Sequence, residues 1–586
     1  MRYINGNTVG VSTMFGSPLM SHVVSADSSA SRGAGKWQIR VRDVRSWIAT
    51  LPLAGSIPSA ERLYQAISDL NRRELDPGQR LDLMELYAQP VASVSTALQA
   101  PWAYLRLPMA PKARRTAEFL RNLHGEMACG YQCVLRDLVK AHHAWDRKAT
   151  VCVAAARAIQ QLGEVLLRSY QVYMPAPAGV WREIHGLYRL VEERGLLDHP
   201  VSRAQQGSGI RKTVRNTYTR VVALGLCGPY QLPQNECLRV NAFLRSRADL
   251  VSLAPRPGMV SPGGQFLIDL SADTPARAIP KGAAPASGPN LRVLSTFGLA
   301  RAAHDGIERL RDGQVLSKSE MGFDCSDAGC LDVLWLMVRF WGAGAYRLYP
   351  RRSTRDSELS LCVGLKALHF FSGGRRTTPM LPAENDSGYP DAAVEESSAG
   401  DSNEAFIDLE SGAGFPELEA PIRRSRPVGG QRYEFRQWMV CDESAGGLAL
   451  VHRGGDVSVH VGELLGIRGP DADAWSVGVV RWIKSPETAR VDLGVKMLAP
   501  VAIPVMVKPA EGAGRGGYIQ ALQLPEIPAV GQPSTLLLER GLTLVDRDLE
   551  LRDARNGGRL QRVRILKVIR RTASFEQAVV VPAAGP

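Results

Sequence analysis

The segment QWMVCDESAGGLALVH, from Gln437 to His452, sets two apolar alternating runs around a polar knot containing Asp442-x-Ser444-x-x-Gly447. A carboxylate accepts hydrogen bonds and a hydroxyl both donates and accepts, so Asp442 and Ser444 suit a guanine edge, and a glycine beside them lets a base approach the backbone. Well upstream stands RRSTR, with Arg351, Arg352 and Arg355. Guanidinium forks clasp phosphate bidentately or read the O6/N7 edge of guanine. Together the residues match a guanine nucleotide. The plain alternative is a hairpin turn, because Asp, Ser and Gly occupy turns for backbone reasons.

Neither half of this set is specific by itself. R-x-x-x-R spacing recurs at Arg211/Arg215, Arg347/Arg351, Arg432/Arg436 and Arg555/Arg559, and D-x-S-x-x-G recurs from Asp324 to Gly329. The second copy opens an apolar helical run and reads as a helix cap.

The elements that must position these residues follow from apolar periodicity. Residues 37–253 carry apolar side chains at intervals of three and four, which predicts about eight helices in an array or bundle, and Asp76-Pro77 supplies a start signal for one of them. Residues 254–346 read as a connector, with one strand-like piece, QFLIDL, and helical stretches from about 290 to 311 and 327 to 341. Beyond 347 the period becomes two, in ELSLCVGLKALHFF, the knot and its flanks, VGELLGIRG, AWSVGVVRWI and ARVDLGVKML. Short strands separated by Gly, Asp and Pro turns predict a small antiparallel barrel. Residues 511–586 read as a small β module or an extension of that barrel. Residues 377–422 hold eleven Asp or Glu and no Lys or Arg, and they read as a disordered acidic insertion. Residues 1–36 read as a disordered lead.

Order and strand context give the motifs their meaning. RRSTR, the strand ELSLCVGLKALHFF, DESAGG, then VGVVRW and DLGVKML follow one another, so the chain from about 347 to 507 resembles a PilZ domain, the bacterial receptor for cyclic diguanylate (c-di-GMP). With the periodicities above, the expectation is a multidomain α + β protein: an N-terminal all-α helical array or bundle, then an antiparallel β-barrel of the kind this resemblance implies, with an additional small β module. The resemblance further implies an arginine loop that folds over the ligand, often an intercalated dimer, against the Asp/Ser/Gly strand. It assigns Arg351, Arg352, Arg355, Asp442, Ser444, Gly447, Arg481 and Trp482 to c-di-GMP, with Trp482 stacking on a guanine. Trp482 also fits a barrel surface or core, and Arg481 an ordinary ion pair. Arg432/Arg436 competes for the arginine role, but Arg436 is only six residues from Asp442, which leaves no room for the intervening strand. The family's links to pili, motility and biofilm suggest an output there.

Composition bounds the alternatives. The chain has 586 residues, net charge +13, 45% hydrophobic and 22% charged residues, which predicts several domains and an anionic partner. Nine cysteines without zinc-site spacing predict no metal; most read as buried apolar groups in a reducing, cytoplasmic setting. The most apolar window, LDVLWLMVRFWGAGAY, contains Arg339 and is too short to span a bilayer. With no G-x-S-x-G, H-E-x-x-H or Walker-type loop, the expectation is binding without catalysis or cofactor, and a protein partner held by the helical region. Two other classes remain: a basic nucleic-acid-binding protein, prompted by RLQRVRILKVIRR but lacking a groove-reading motif, and a scaffold with a ligand-free barrel.

Overall fold

The computed structural model of the chain describes residues 40–52, 57–104, 106–140, 146–201, 212–254, 264–279, 288–327, 329–342, 357–373, 433–444, 446–454, 457–509, 517–528, 531–541, 548–553 and 560–583. The lead at 1–36, the acidic stretch at 377–422 and the arginines of RRSTR lie outside them.

Among the described residues, eight helices precede residue 250: α1 (Val41–Ala49), α2 (Ile57–Asn71), α3 (Pro77–Gln99), α4 (Pro111–Lys140), α5 (Lys148–Gln171), α6 (Val180–Glu192), α7 (Val214–Leu226) and α8 (Glu236–Arg245). The start of α3 is the one its sequence specifies: Asp76 Oδ1 accepts from the amides of Gly78 and Gln79 at 2.8 and 3.1 Å, and Pro77 occupies the first turn. The long α4 and α5 pack at the centre. Leu120, Leu123 and Met127 on α4, and Ala155, Ile159, Leu162 and Leu166 on α5, recur at three and four and are buried. Helix α5 is long and apolar enough to cross a membrane by length and composition, but 72% of its most apolar stretch is buried inside the protein. His124 is enclosed between α3 and α5, with Nε2 3.0 Å from Ser95 Oγ and Nδ1 2.8 Å from Gln161 Oε1.

The connector holds more strand than its sequence suggests. β1 (Ser252–Ala254), β2 (Gln265–Asp269), β3 (Arg277–Ala278) and β4 (Leu291–Ser295) form a sheet of order β1-β4-β2-β3. The stretch read as helical from Asn290 therefore begins as a strand, because LRVLS pairs between β1 and β2; the helix α9 (Phe297–Arg311) starts only after Thr296. α10 (Lys318–Met321) and α11 (Gly329–Gly342) follow. At the entry to α11, Asp324 accepts from the Ser326 amide and Asp327 from the Cys330 amide, each at 3.0 Å, so this D-x-S-x-x-G copy is a helix entry. Cys325 and Cys330 are joined there as a disulfide, with Cα atoms 5.1 Å apart. The other seven cysteines are free; six are buried and Cys441 is exposed.

A closed antiparallel barrel follows, built from β5 (Ser357–Val363), β6 (Arg436–Ser444), β7 (Gly447–Arg453), β8 (Leu464–Arg468), β9 (Ser476–Lys484) and β10 (Arg490–Ala499) in the order β10-β7-β6-β5-β8-β9. Leu359, Leu361, Trp438, Val440, Leu450, Leu465, Ile467 and Leu493 fill it, in a core continuous with that of the helices. The run ELSLCVGLKALHFF is not one strand. Gly364 adopts φ +92°, which only glycine takes without strain, and the chain turns there into α12 (Leu365–Ser372).

The C-terminal strands close into a barrel of their own: β11 (Ile503–Pro509), β12 (Ile519–Leu524), β13 (Thr535–Glu539), β14 (Asp548–Asp553), β15 (Leu560–Arg571) and β16 (Phe575–Pro582), in the order β11-β12-β13-β16-β15-β14. The two barrels meet across an apolar layer in which Leu365 and Leu368 of α12 and Val477 and Val479 of β9 face Leu522, Leu537 and Phe575. Asp332 of α11 reaches the second barrel through Arg540 at 2.9 Å.

Candidate functional site

On β6 the residues Trp438 and Val440 point into the barrel, opposite Leu359 and Leu450. Strict alternation would send Asp442 and Ser444 inward as well. A β-bulge between Val440 and Asp442 prevents this: Cys441 is left unpaired, and Asp442 pairs with Ala449 and Ser444 with Gly447 on the outward side. Ser444 Oγ donates to the Gly447 carbonyl at 3.2 Å and ties the hairpin. Gly447 has a backbone reason for being glycine, since a Cβ there would overlap the carbonyl oxygen of Val495. The close approach of β10 thus requires the glycine whether or not a base comes near.

The outward face continues across β7, β10 and β9. Asp442, Ala449, Gly494 and Trp482 lie in one cross-strand row, and Ser444, Gly447, Lys496 and Val479 in the next. At roughly 4.8 Å per strand, about 14 Å of sheet separates Asp442 from Trp482. A second bulge, between Gly494 and Val495 on β10, leaves Arg481 unpaired beside Trp482. The indole of Trp482 lies against Gly494, where a Cβ would overlap its ring.

Arg481 makes no ion pair among the described residues, which sets aside the plain reading of it as half of a surface salt bridge. Its surroundings are cationic instead. Burial first, then Arg339 of α11 and Arg570 of β15, push its pKa down to about 10. Burial, Arg570, Arg481 and Arg339 likewise lower Lys496. Arg570 is lowered by burial and by Arg339. The sequence reading did not assign Arg339, Lys496 or Arg570 to the site. Arg570 belongs to the basic run RLQRVRILKVIRR, and Arg339 is the charge within the apolar window of α11.

The described residues therefore bring Asp442, Ser444, Gly447, Arg481 and Trp482 onto one face. Arg436 is not on it. Its register partner is Leu361, it keeps the parity of the inward-facing Trp438, and its guanidinium is 3.7 Å from Glu434. Arg351, Arg352, Arg355 and Arg432 lie outside the described residues. β5 begins at Ser357, which pairs with Val440 immediately before the bulge. A groove between the barrels, lined by Gly364, Lys366, Glu463 and Glu539, contains none of these residues. Among the described residues no cluster of His, Cys, Asp or Glu forms a metal site.

The closed six-stranded barrel that carries D-x-S-x-x-G on its β6–β7 hairpin lies in the part of the chain that matches a PilZ domain, and that class fits its fold. Residues 42–257 match a family described as the N-terminal domain of the cyclic-di-GMP receptor FimW, residues 265–504 its middle PilZ domain, and residues 505–579 the FimW C-terminal β-barrel domain. The chain is similar to the cyclic-di-GMP receptor FimW of Pseudomonas aeruginosa, with 27% identity over 525 residues, covering 85% of this chain and 84% of that protein. No solved structure matches it.

Proposed function

We propose that this protein is a cytoplasmic c-di-GMP receptor whose PilZ barrel binds the dinucleotide and whose helical region reports occupancy to a protein partner, with pili, motility or biofilm as the output. The observation that carries the reading is the bulge at Cys441, which turns Asp442 and Ser444 outward onto the face that also holds Arg481 and Trp482. A bulge interrupts the ladder and is characteristically kept where it re-aims side chains.

In this reading the Asp442 carboxylate accepts from the N–H donors of a guanine, Ser444 adds a hydroxyl, Gly447 leaves its edge open, and Trp482 offers an aromatic face. Arg351, Arg352 and Arg355 hold phosphates and guanine edges. Only Asp356 lies between Arg355 and Ser357, and two Cα-to-Cα steps span at most about 7 Å. Because Ser357 is paired with Val440, this reach favours RRSTR over Arg432/Arg436 as the arginine loop, whatever the length of the acidic segment beyond α12. The residues act by binding, with no catalytic step, metal or cofactor assigned to them.

Transmission has a direct support. The strand carrying Arg481 and Trp482 ends at Lys484, and the next residue, Ser485, donates its amide to the Tyr173 carbonyl at 2.9 Å. Arg114 of α4 donates to the Ser485 and Pro486 carbonyls at 3.2 and 2.8 Å. A ligand that shifts β9 therefore pulls on the helical domain. Titration calorimetry of the full chain with c-di-GMP tests the reading: micromolar or tighter binding is expected, lost in Arg351→Ala plus Arg355→Ala. Absence of binding, or binding unaffected by the double substitution, refutes it.

A further inference from the structure

We infer that Arg339, Arg481, Lys496 and Arg570 form one phosphate-binding site across three parts of the chain, so that α11 and the C-terminal barrel clamp the anionic ligand against the PilZ barrel. This assignment of the ligand's phosphodiesters rests on the c-di-GMP reading above; the cationic site itself does not.

The geometry converges from independent elements. Arg481 and Lys496 stand on the outward face of β9 and β10, beside Val479, where the apolar layer between the barrels begins. Arg570 comes from β15, on the side of the second barrel that its register partner Gln577 also occupies. Arg339 lies seven residues after Asp332 on α11, hence on the same helical face, and Asp332 is fastened to Arg540 of the second barrel. Two cations thus arrive from outside the PilZ barrel and two from within it.

No acid balances them. Among the described residues, none of the four forms an ion pair, and the charged groups felt by Arg481 and Lys496 are all cations. Arg570 Nη1 is buried and accepted by no oxygen among the described residues. The nearby carboxylates are committed elsewhere: Asp332 to Arg540 at 2.9 Å and Glu576 to Arg571 at 3.3 Å. Gathering like charges in a partly desolvated junction opposes folding unless an anion joins them. A cyclic dinucleotide carries two phosphodiesters in a compact ring, and charge-assisted hydrogen bonds from guanidinium forks are the strong way to hold them.

Function and stability should therefore separate. Full-length Arg570→Gln, Arg339→Gln and Lys496→Gln are titrated with c-di-GMP by calorimetry and melted without ligand. The expected result is a loss of affinity of about tenfold or more for each, with a ligand-free Tm equal to or above that of the unsubstituted chain. If Arg570→Gln and Arg339→Gln bind as tightly as the unsubstituted chain while Asp442→Ala loses binding, the clamp is wrong and the receptor reading stands. If the unsubstituted chain binds no c-di-GMP, the receptor reading fails and pyrophosphate decides the cationic site: saturable thermal stabilisation lost in Arg570→Gln upholds it, and none overturns it. A substantial drop in the ligand-free Tm of Arg570→Gln would also overturn it, because the cation would then be a structural brace.

Discussion

The indole of Trp482 lies on the backbone of Gly494, its register partner on the neighbouring strand, so closely that a side chain at 494 and the indole exclude one another. The Leu-Gly-Val run of β10 thus seats the aromatic on the outward face of the barrel. Gly494→Ala is expected to displace the ring and cost about 1–3 kcal/mol, as overpacking does. Thermal melts read the cost and tryptophan emission reads the displacement; an unchanged spectrum and Tm would show that the ring does not depend on this glycine.

Asp442 and Ser444 should behave differently when altered. Asp442→Asn removes a charged acceptor, and a hydrogen bond involving charge contributes about 1.5–3 kcal/mol, so c-di-GMP affinity should fall about ten- to a hundredfold. Ser444→Ala removes in addition the 3.2 Å bond to the Gly447 carbonyl, so it should also lower stability by about 1 kcal/mol. Calorimetry paired with urea denaturation separates the two.

Arg114 bridges α4 to the end of β9 through two carbonyls. Arg114→Ala should leave ligand affinity near that of the unsubstituted chain while uncoupling the domains. Hydrogen exchange is the measurement: amides around Ser485 exchange faster without ligand, and protection of α4 and α5 upon c-di-GMP addition disappears. Persistence of that protection would place the coupling elsewhere.

The helical domain carries a pH dependence. Burial pushes the His124 pKa down to about 4, with Arg168 adding to the effect and Glu164 and Gln161 opposing it. Between about 6.5, the unfolded value, and 4, the unfolded chain holds a proton that the folded chain refuses. Stability is therefore complete above this window and falls as the pH drops through it, by roughly 3 kcal/mol for this residue. Denaturation at pH 7.5 and 5.0 should show the loss, and His124→Gln should flatten it; an equal slope in the variant would assign the loss to other groups.

The order of elements was legible because periodicity is coarse and robust: helical faces before residue 253, alternating strands after 357. What escaped depends on single residues. ELSLCVGLKALHFF is a largely apolar run, and such a short run does not distinguish strand from helix; Gly364 makes the division. LRVLS is a short apolar run whose partners, β1 and β2, lie well upstream, so its local pattern alone does not separate strand from helix. At the site, types and spacing of Asp442 and Ser444 were legible, but their outward direction depends on a bulge at Cys441 that alternation alone contradicts. Arg339 and Arg570 could not be found by motif, since each becomes part of the site only through packing of α11 and the second barrel.

The pairing of β5 with β6 has a consequence for how such a chain can change. The two strands are neighbours in the barrel, yet in the chain residues 364 to 435 stand between them. Closing a loop costs only about 0.6 kcal/mol more for each doubling of its length, so growth from roughly eight residues to sixty raises the cost by about 2 kcal/mol. The seam is thus a permissive site for new sequence: a long segment can be added, removed or diversified there over generations while the outward rows of Asp442 and Ser444 keep their register.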